Sequence, residues 1–567
     1  MAKMCLIVLA ALLIVGAAFS GIHKGPRVLP AKATAGDETD EVFEVMGMRV
    51  YPTGPLAAPG DSITYTTYDY ATNGSVNRNL INYGNGVLSF ARMLAQGTGT
   101  TPPDRGSWYN FSTDGGRTWQ YSWGRVESAY HGWGNIDQLR DFGGLEVIVS
   151  HLGAGLPLTV SVDLDRGANS WLPSTTSPGN ALWARLGIGP GVSFHIVHGT
   201  GGNPATGLGY TRSTDAGLSF DRIDVNIFPG NAVPDADTYA ASARGGKIAF
   251  VVASDGGDVV LLTSTDNGDT WATRTIYQST TPPPEPQPQP DGSCDVLIDS
   301  AGVIHVAWSN FMRIGADLVY SIDAPVMYWN SSSEVIRTIA YPVRDSTMIV
   351  PTNSRFGNYA NQPDLGTNST GSDVYCVFSQ LISERDGSNN NYSHVYAVKS
   401  QDGGTTWGSE VDLTPGSGFD AAFPTIPDLV EDTVYLAYFA DALAGNFIRG
   451  NHAQIQVAVM LLRVPVSAIT AVHEVGGELP TGYVLQQNYP NPFNPSTRIS
   501  YSIPTAAQVR LSVYNMLGQE VASLVNEYRN AGTYEKAFSA QDLPSGVYFY
   551  TLRAGAFSET RKMILLK

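Results

Sequence analysis

Cysteine is scarce, with three in 567 residues. Cys5 falls in an apolar leader, so only Cys294 and Cys376 remain, too few for a disulfide framework. One bridge between them or two separately buried thiols both stay open. No C-x-x-C pair or His–Cys cluster points to zinc, and no metal or other cofactor is expected. Positive charge is also in deficit. Lys+Arg 34 against Asp+Glu 51 leave a net charge of −17, which argues against a nucleic-acid backbone or an anionic membrane surface as the main partner. Helical periodicity is hard to find after the first twenty residues. No later run is apolar and long enough to cross a bilayer as a helix, so no integral span is expected in the mature protein.

What is present points to strands. Gly 60, Tyr 28 and Trp 10, with many Ser and Thr, suit extended segments joined by tight turns. The length exceeds one hydrophobic core, so two or more domains are expected. Lys3 followed by "MCLIVLAALLIVGAA", with small residues at Ala18 and Ser20, reads as a signal peptide over 1–20 cleaved after Ser20. An uncleaved anchor is the alternative. Residues 21–54 are polar and charged and read as a flexible leader.

One short pattern recurs. "STDGGRTW" at Ser112–Trp119 returns as "STDAGLSF" at Ser213–Phe220, "STDNGDTW" at Ser264–Trp271 and "SQDGGTTW" at Ser400–Trp407. Weaker copies start at Ser161, with Asp163, and at Ser321, with Asp323. The serines step by about fifty residues, the length of one four-stranded blade, with a longer last step. Each copy joins two strand-like stretches, so it reads as the hairpin between a blade's third and fourth strands. Asp accepts turn amides, Gly permits positive φ and Trp packs beneath. The pattern resembles the Asp-box, or BNR repeat, of sialidase-like β-propellers. That resemblance implies a structural role for Ser112, Asp114, Gly116, Trp119, Asp163, Asp215, Gly217, Asp266, Gly268, Trp271, Asp323, Asp402, Gly404 and Trp407.

The expected fold class is all-β: an Asp-box β-propeller over 55–466, followed by a small Ig-like β-sandwich. Seven blades are favoured, with six as the alternative. The last three strand-like pieces lack a fourth partner, while "ITYTTYDY" (Ile63–Tyr70) has no blade of its own. Joining them closes the ring without an open edge. "TPPPEPQPQPDG" (Thr281–Gly292) reads as an exposed polyproline loop. After a linker over 467–482, short alternating runs such as Val509, Leu511 and Val513, then Val547, Phe549 and Thr551, suggest the sandwich over 483–567. "NYPNPFNPST", "VYNMLGQEV", "LPSGVYFYTL" and the ending "RKMILLK" make this tail resemble the type IX secretion C-terminal sorting domain. The resemblance implies the type IX secretion machinery as partner and a secreted or outer-surface location.

No catalytic residue is assigned. The sialidase family's Arg-Ile-Pro motif does not occur and its arginine triad cannot be placed. Four aspartates near the starts of innermost strands, Asp137, Asp237, Asp295 and Asp364, precede their turn glycines by similar counts and would form a partial axial ring. The plainer reading is that they bond neighbouring amides. His131 and Trp133 lie just before Asp137, placed either to stack on a sugar or to pack. The expectation is a protein that binds an extracellular glycan or protein ligand. The alternative is a sialidase-like glycoside hydrolase or lyase using axial carboxylates.

Overall fold

The computed structural model describes residues 58–469 and 482–566 apart from short stretches, the longest being 201–206, 229–236, 280–286 and 343–358. Met1–Thr53 is a separate unit, of which only the paired strands Glu44–Val45 and Met48–Arg49 are described. The signal peptide over 1–20, the rest of the leader and Asp323 lie outside the described residues.

Seven antiparallel sheets follow one another along the chain, each with a four-strand path, and no α-helix occurs among the described residues. We number them in chain order by their first strands: Leu80–Asn82, Gly132–Leu139, Ala181–Ile188, Tyr239–Arg244, Gln287–Ile298, Ala360–Thr367 and Asp420–Thr425. The seventh has three strands from its own segment. Its fourth is Asp61–Thr66, which pairs with Val457–Pro465. Seven apolar clusters each lie between two consecutive sheets. The last joins Leu88 and Phe90 of the first sheet to Phe423 and Ala437 of the seventh. The architecture is therefore a closed, propeller-like ring, and along the chain the first strand of each sheet adjoins that of the next.

The recurrent turns share one hydrogen-bond pattern. Ser112 Oγ donates to Asp114 Oδ1 at 2.9 Å and accepts from Gly116 N at 2.9 Å, while Asp114 accepts from Thr118 N at 2.9 Å and Thr118 Oγ1 at 2.6 Å. The same bonds recur around Asp215, Asp266 and Asp402. Thr118 and its amide pull the Asp114 pKa down to about 2. Asp163 sits in a longer turn and accepts the Asn169 and Ser170 amides. Its burial pushes its pKa up to about 6.

Two sequence expectations change. The second half of the polyproline segment is a strand. Gln287 to Pro290 pair with Asn310 to Arg313, and Gln289 is buried. An innermost strand has one paired side and needs ladder N–H groups only at alternate residues, and "QPQP" puts proline at every second one. In the tail, Gly546–Ala554 buries Tyr548, Tyr550, Leu552 and Ala554, one residue out of step with Val547, Phe549 and Thr551. Tyr550 can be buried because its hydroxyl donates to Gln486 O at 2.7 Å and accepts from Asn488 N at 2.8 Å. Around it a three-stranded and a four-stranded sheet share one core. Cys294 and Cys376 are buried and free.

Candidate functional site

Three of the four candidate aspartates tie one sheet to the next. Asp137 Oδ2 accepts from Ile188 N at 3.0 Å, Asp295 from Leu365 N at 2.9 Å and Asp364 from Ile426 N at 2.9 Å. Their residues sit inside first strands, where a carboxylate can reach an amide left unpaired on the neighbouring inner edge. Asp237 does not join them. It precedes its strand at φ +62° and meets Thr72 Oγ1 at 3.0 Å and Arg185 at 3.5 Å. Its counterpart in the ring is Ser242, whose Oγ accepts from Ile298 N at 3.1 Å. The fourth sheet turns immediately after Arg244, so counting back from the glycine overshoots.

Electrostatics separate these carboxylates. Asp364 Oδ1 and Asp295 Oδ2 share the single Leu365 N–H, at 3.1 and 2.9 Å. Burial, then the Asp295 charge, raise the Asp364 pKa well above the usual range. Loss of hydration pushes Asp295 up to about 6, against the pull of Arg78. Asp137 instead has full charge compensation. Arg78 bonds Asp137 at 3.3 Å and Asp428 at 2.8 Å, and Arg140 bonds the same two at 3.0 and 3.4 Å. Burial works against the Arg78 charge, but Asp428 and Asp137 outweigh it and raise its pKa.

That quartet borders a cavity of about 390 Å³ beside the first-to-second strand turns, lined also by Tyr83, Gly144, Arg166 and Arg244. Among the lining residues two carboxylates face Arg78 and Arg140, and Arg166 and Arg244 add two further guanidinium groups. Arg166 stacks over Tyr83 at 4.9 Å, and Arg244 has no ion pair among the described residues. Arg140 Nη1 is a buried donor without a partner. The wall thus offers guanidinium donors to an anionic group. Sequence reasoning missed these arginines because it sought a family motif. The available signal was basic residues at first-strand ends, in "QLRDFGG" and "ARGG".

His131 and Trp133 lie elsewhere: Trp133 at a bulge in the second sheet's first strand and His131 just before that strand. Both His131 ring nitrogens are engaged, by Ala129 O at 3.0 Å and Thr159 Oγ1 at 2.9 Å. Trp133 stacks on His151 at 5.1 Å, with the Arg105 guanidinium 5.0 Å from its ring. Burial pulls the His151 pKa down to about 3, so its ring is neutral. Neither His131 nor Trp133 lines the arginine-walled cavity.

Among curated proteins none matches the chain. Solved structures similar to it include an ulvan lyase of polysaccharide lyase family PL25, at 12% identity and TM-score 0.43 over 73% of this chain and 100% of that one. A GH74 enzyme of Niastella koreensis aligns at 12% identity and TM-score 0.38, over 88% of this chain and 74% of that one. The NanB sialidase of Streptococcus pneumoniae aligns at 12% and 0.38, over 74% and 72%. No helix among the described residues is long and apolar enough to cross a membrane. Residues 487–566 match the family described as secretion system C-terminal sorting domain. The tail of this chain is a type IX secretion sorting domain, which marks the protein for export to the cell surface or beyond.

Proposed function

We propose that this chain is a secreted or surface-displayed protein whose seven-bladed Asp-box β-propeller, residues 55–466, binds an extracellular ligand through an anionic group. The observation that carries this reading is the cavity walled by Arg78, Arg140, Arg166 and Arg244 against only Asp137 and Asp428. A sugar carboxylate, a sulfate or an acidic protein side chain has the matching chemistry. Residues 1–20 serve as signal peptide, 21–54 as leader, 467–482 as linker and 483–567 as an Ig-like sorting module.

The arrangement favours binding over axial-carboxylate catalysis. A general acid or base must reach its substrate within hydrogen-bond distance. Asp137 is locked between two arginines, and Asp295 and Asp364 are turned onto backbone amides. The turn aspartates serve as staples, their oxygens bonded within their own loops.

The test is calorimetric titration with acidic and neutral oligosaccharides and with acidic peptides. An acidic ligand is expected to bind, and the double change Arg166→Ala/Arg244→Ala to weaken it about tenfold or more with the melting temperature kept. Ligands binding equally well to the double variant would overturn the cavity assignment. Turnover of a bound glycan, abolished by Asp137→Asn, would restore the enzyme reading. Deleting residues 483–567 is expected to stop release from cells that carry the secretion system. Fractionation and immunoblotting check this, and full extracellular recovery of the truncated protein would count against export by the tail.

A further inference from the structure

A second cluster lies at the seam where the ring closes. Asp69 follows the strand Asp61–Thr66 that completes the seventh sheet. Asp441 ends that sheet's second strand, and His452 lies in the loop leading to its third. The three side chains are 4%, 6% and 4% exposed. Their ligand atoms lie within 4.8 Å of one another.

The hydrogen bonds fix which atoms face inward. His452 Nδ1 lies 2.8 Å from Ala453 O, which can only accept, so Nδ1 carries a proton and, in the neutral ring, Nε2 presents its lone pair. Nε2 points between Asp69 Oδ2 and Asp441 Oδ2, 3.5 Å from each. Asp441 Oδ1 accepts from Leu443 N at 2.9 Å, while Asp441 Oδ2 and His452 Nε2 are buried without a hydrogen-bond partner. Asp69 is held by the Phe447 and Ile448 amides. Three electron-rich atoms thus converge in a place water barely reaches. Asp420, paired across the ladder from Asp441, adds a third buried carboxylate. Among the described residues no lysine or arginine forms an ion pair with any of the three acids.

Such a group is costly to bury as it stands. A proton on Nε2 would still leave three carboxylates facing one positive charge. A divalent cation answers both needs, because it accepts the lone pairs and supplies two charges. We propose that Asp69, Asp441 and His452 form a binding site for a divalent transition cation of the zinc or manganese kind. One imidazole and two carboxylates suit these ions, whereas calcium prefers oxygen alone. Bonds of about 2.0–2.1 Å in tetrahedral array put donors roughly 3.4 Å apart, close to the two separations seen. The Nδ1–H to carbonyl bond is the usual support of a histidine ligand. No metal was expected from the sequence, which has no C-x-x-C or His–Cys pattern and sets Asp69 nearly the whole ring away from Asp441 and His452. The ion would pin the first strand's exit to the last sheet's loop and so stabilise closure.

The experiment uses the full chain, stripped with chelator and dialysed, titrated calorimetrically with ZnCl2 and separately with MnCl2, with thermal scans of each form. One saturable equivalent of at least one ion is expected, with a melting temperature raised by metal and lowered again by chelator. Asp441→Asn, nearly isosteric, and His452→Gln are each expected to weaken binding about tenfold or more. No saturable binding of either ion to the unaltered chain, with melting indifferent to chelator, would show that the trio holds a proton and would overturn the site. Undiminished binding in folded Asp441→Asn and His452→Gln variants would overturn it equally. If the variants fail to fold, the titration of the unaltered chain decides.

Discussion

Replacing Gly404 by alanine is expected to destabilise the protein by about 2–5 kcal/mol, the sum of a positive-φ penalty and overpacking. Gly404 has φ +86°, and an added Cβ would stand 2.0 Å from Tyr328 Oη and 2.5 Å from Tyr328 Cζ. Tyr328 belongs to the preceding sheet and cannot step aside. Its hydroxyl is 2.6 Å from His305 Nδ1 and accepts from Asn330 Nδ2 at 3.2 Å, and Trp407 packs edge-on against its ring at 4.8 Å. The turn glycine is therefore a docking point between sheets. Gly268 meets Tyr210 in the same way, and Gly116 meets Leu461 across the ring closure. Gly418 supplies the control, with φ +77° but nothing within 4 Å of an added Cβ. Gly418→Ala should cost only the backbone term, about 1–2 kcal/mol. Denaturant melts of both variants check this. Equal losses would remove the docking account and leave the glycine as a turn residue alone.

How much of this was legible depends on how local each interaction is. The turn pattern was readable because Ser112, Asp114, Gly116 and Thr118 complete their bonds within seven residues, so the physics sits inside one short string. The closing strand was readable from a surplus: one extended segment at the start and one missing at the end. The cavity was not, because Arg78, Arg140, Arg166, Arg244 and Asp428 come from separate segments and meet only after the ring forms. The same holds for Asp69, Asp441 and His452. Asp237 was misplaced by a turn-length difference that shifts the count without changing its appearance. Pro288 and Pro290 were misread because composition suggested an exposed loop, while an edge strand tolerates proline at alternate positions. Tyr548 and Tyr550 show the limit of apolar alternation, since a tyrosine with a partner for its hydroxyl fills a core as well as a phenylalanine.

The paired carboxylates at the ring's centre make a pH-dependent prediction. Asp295 and Asp364 share one amide hydrogen, so ionising both sets two negative charges side by side with little water. Their folded pKa values are raised, Asp295 to about 6 and Asp364 well above 3.8. Groups shifted in this direction contribute stability that is fully present below the unfolded carboxylate pKa and is lost as pH rises through the folded one. Asp364→Asn removes one charge and keeps an oxygen for Ile426 N, and its new amide can donate to Asp295. The variant is expected to be more stable than the unaltered protein at pH 7.5 by about 1–3 kcal/mol, the scale of a shift of one to two units. The advantage should vanish near pH 4.5. Buried histidines such as His151 and His195, whose pKa values burial lowers, titrate in the opposite sense but are present in both proteins and cancel in the difference. Asp364→Ala separates charge from hydrogen bonding. It relieves the repulsion but orphans the Ile426 amide, at a cost of about 1–3 kcal/mol at either pH. Melting curves of the three proteins across this range provide the check. A stability difference between Asp364→Asn and the unaltered chain that stays constant with pH would mean the two aspartates do not compete for the shared amide, and they would then be independent staples.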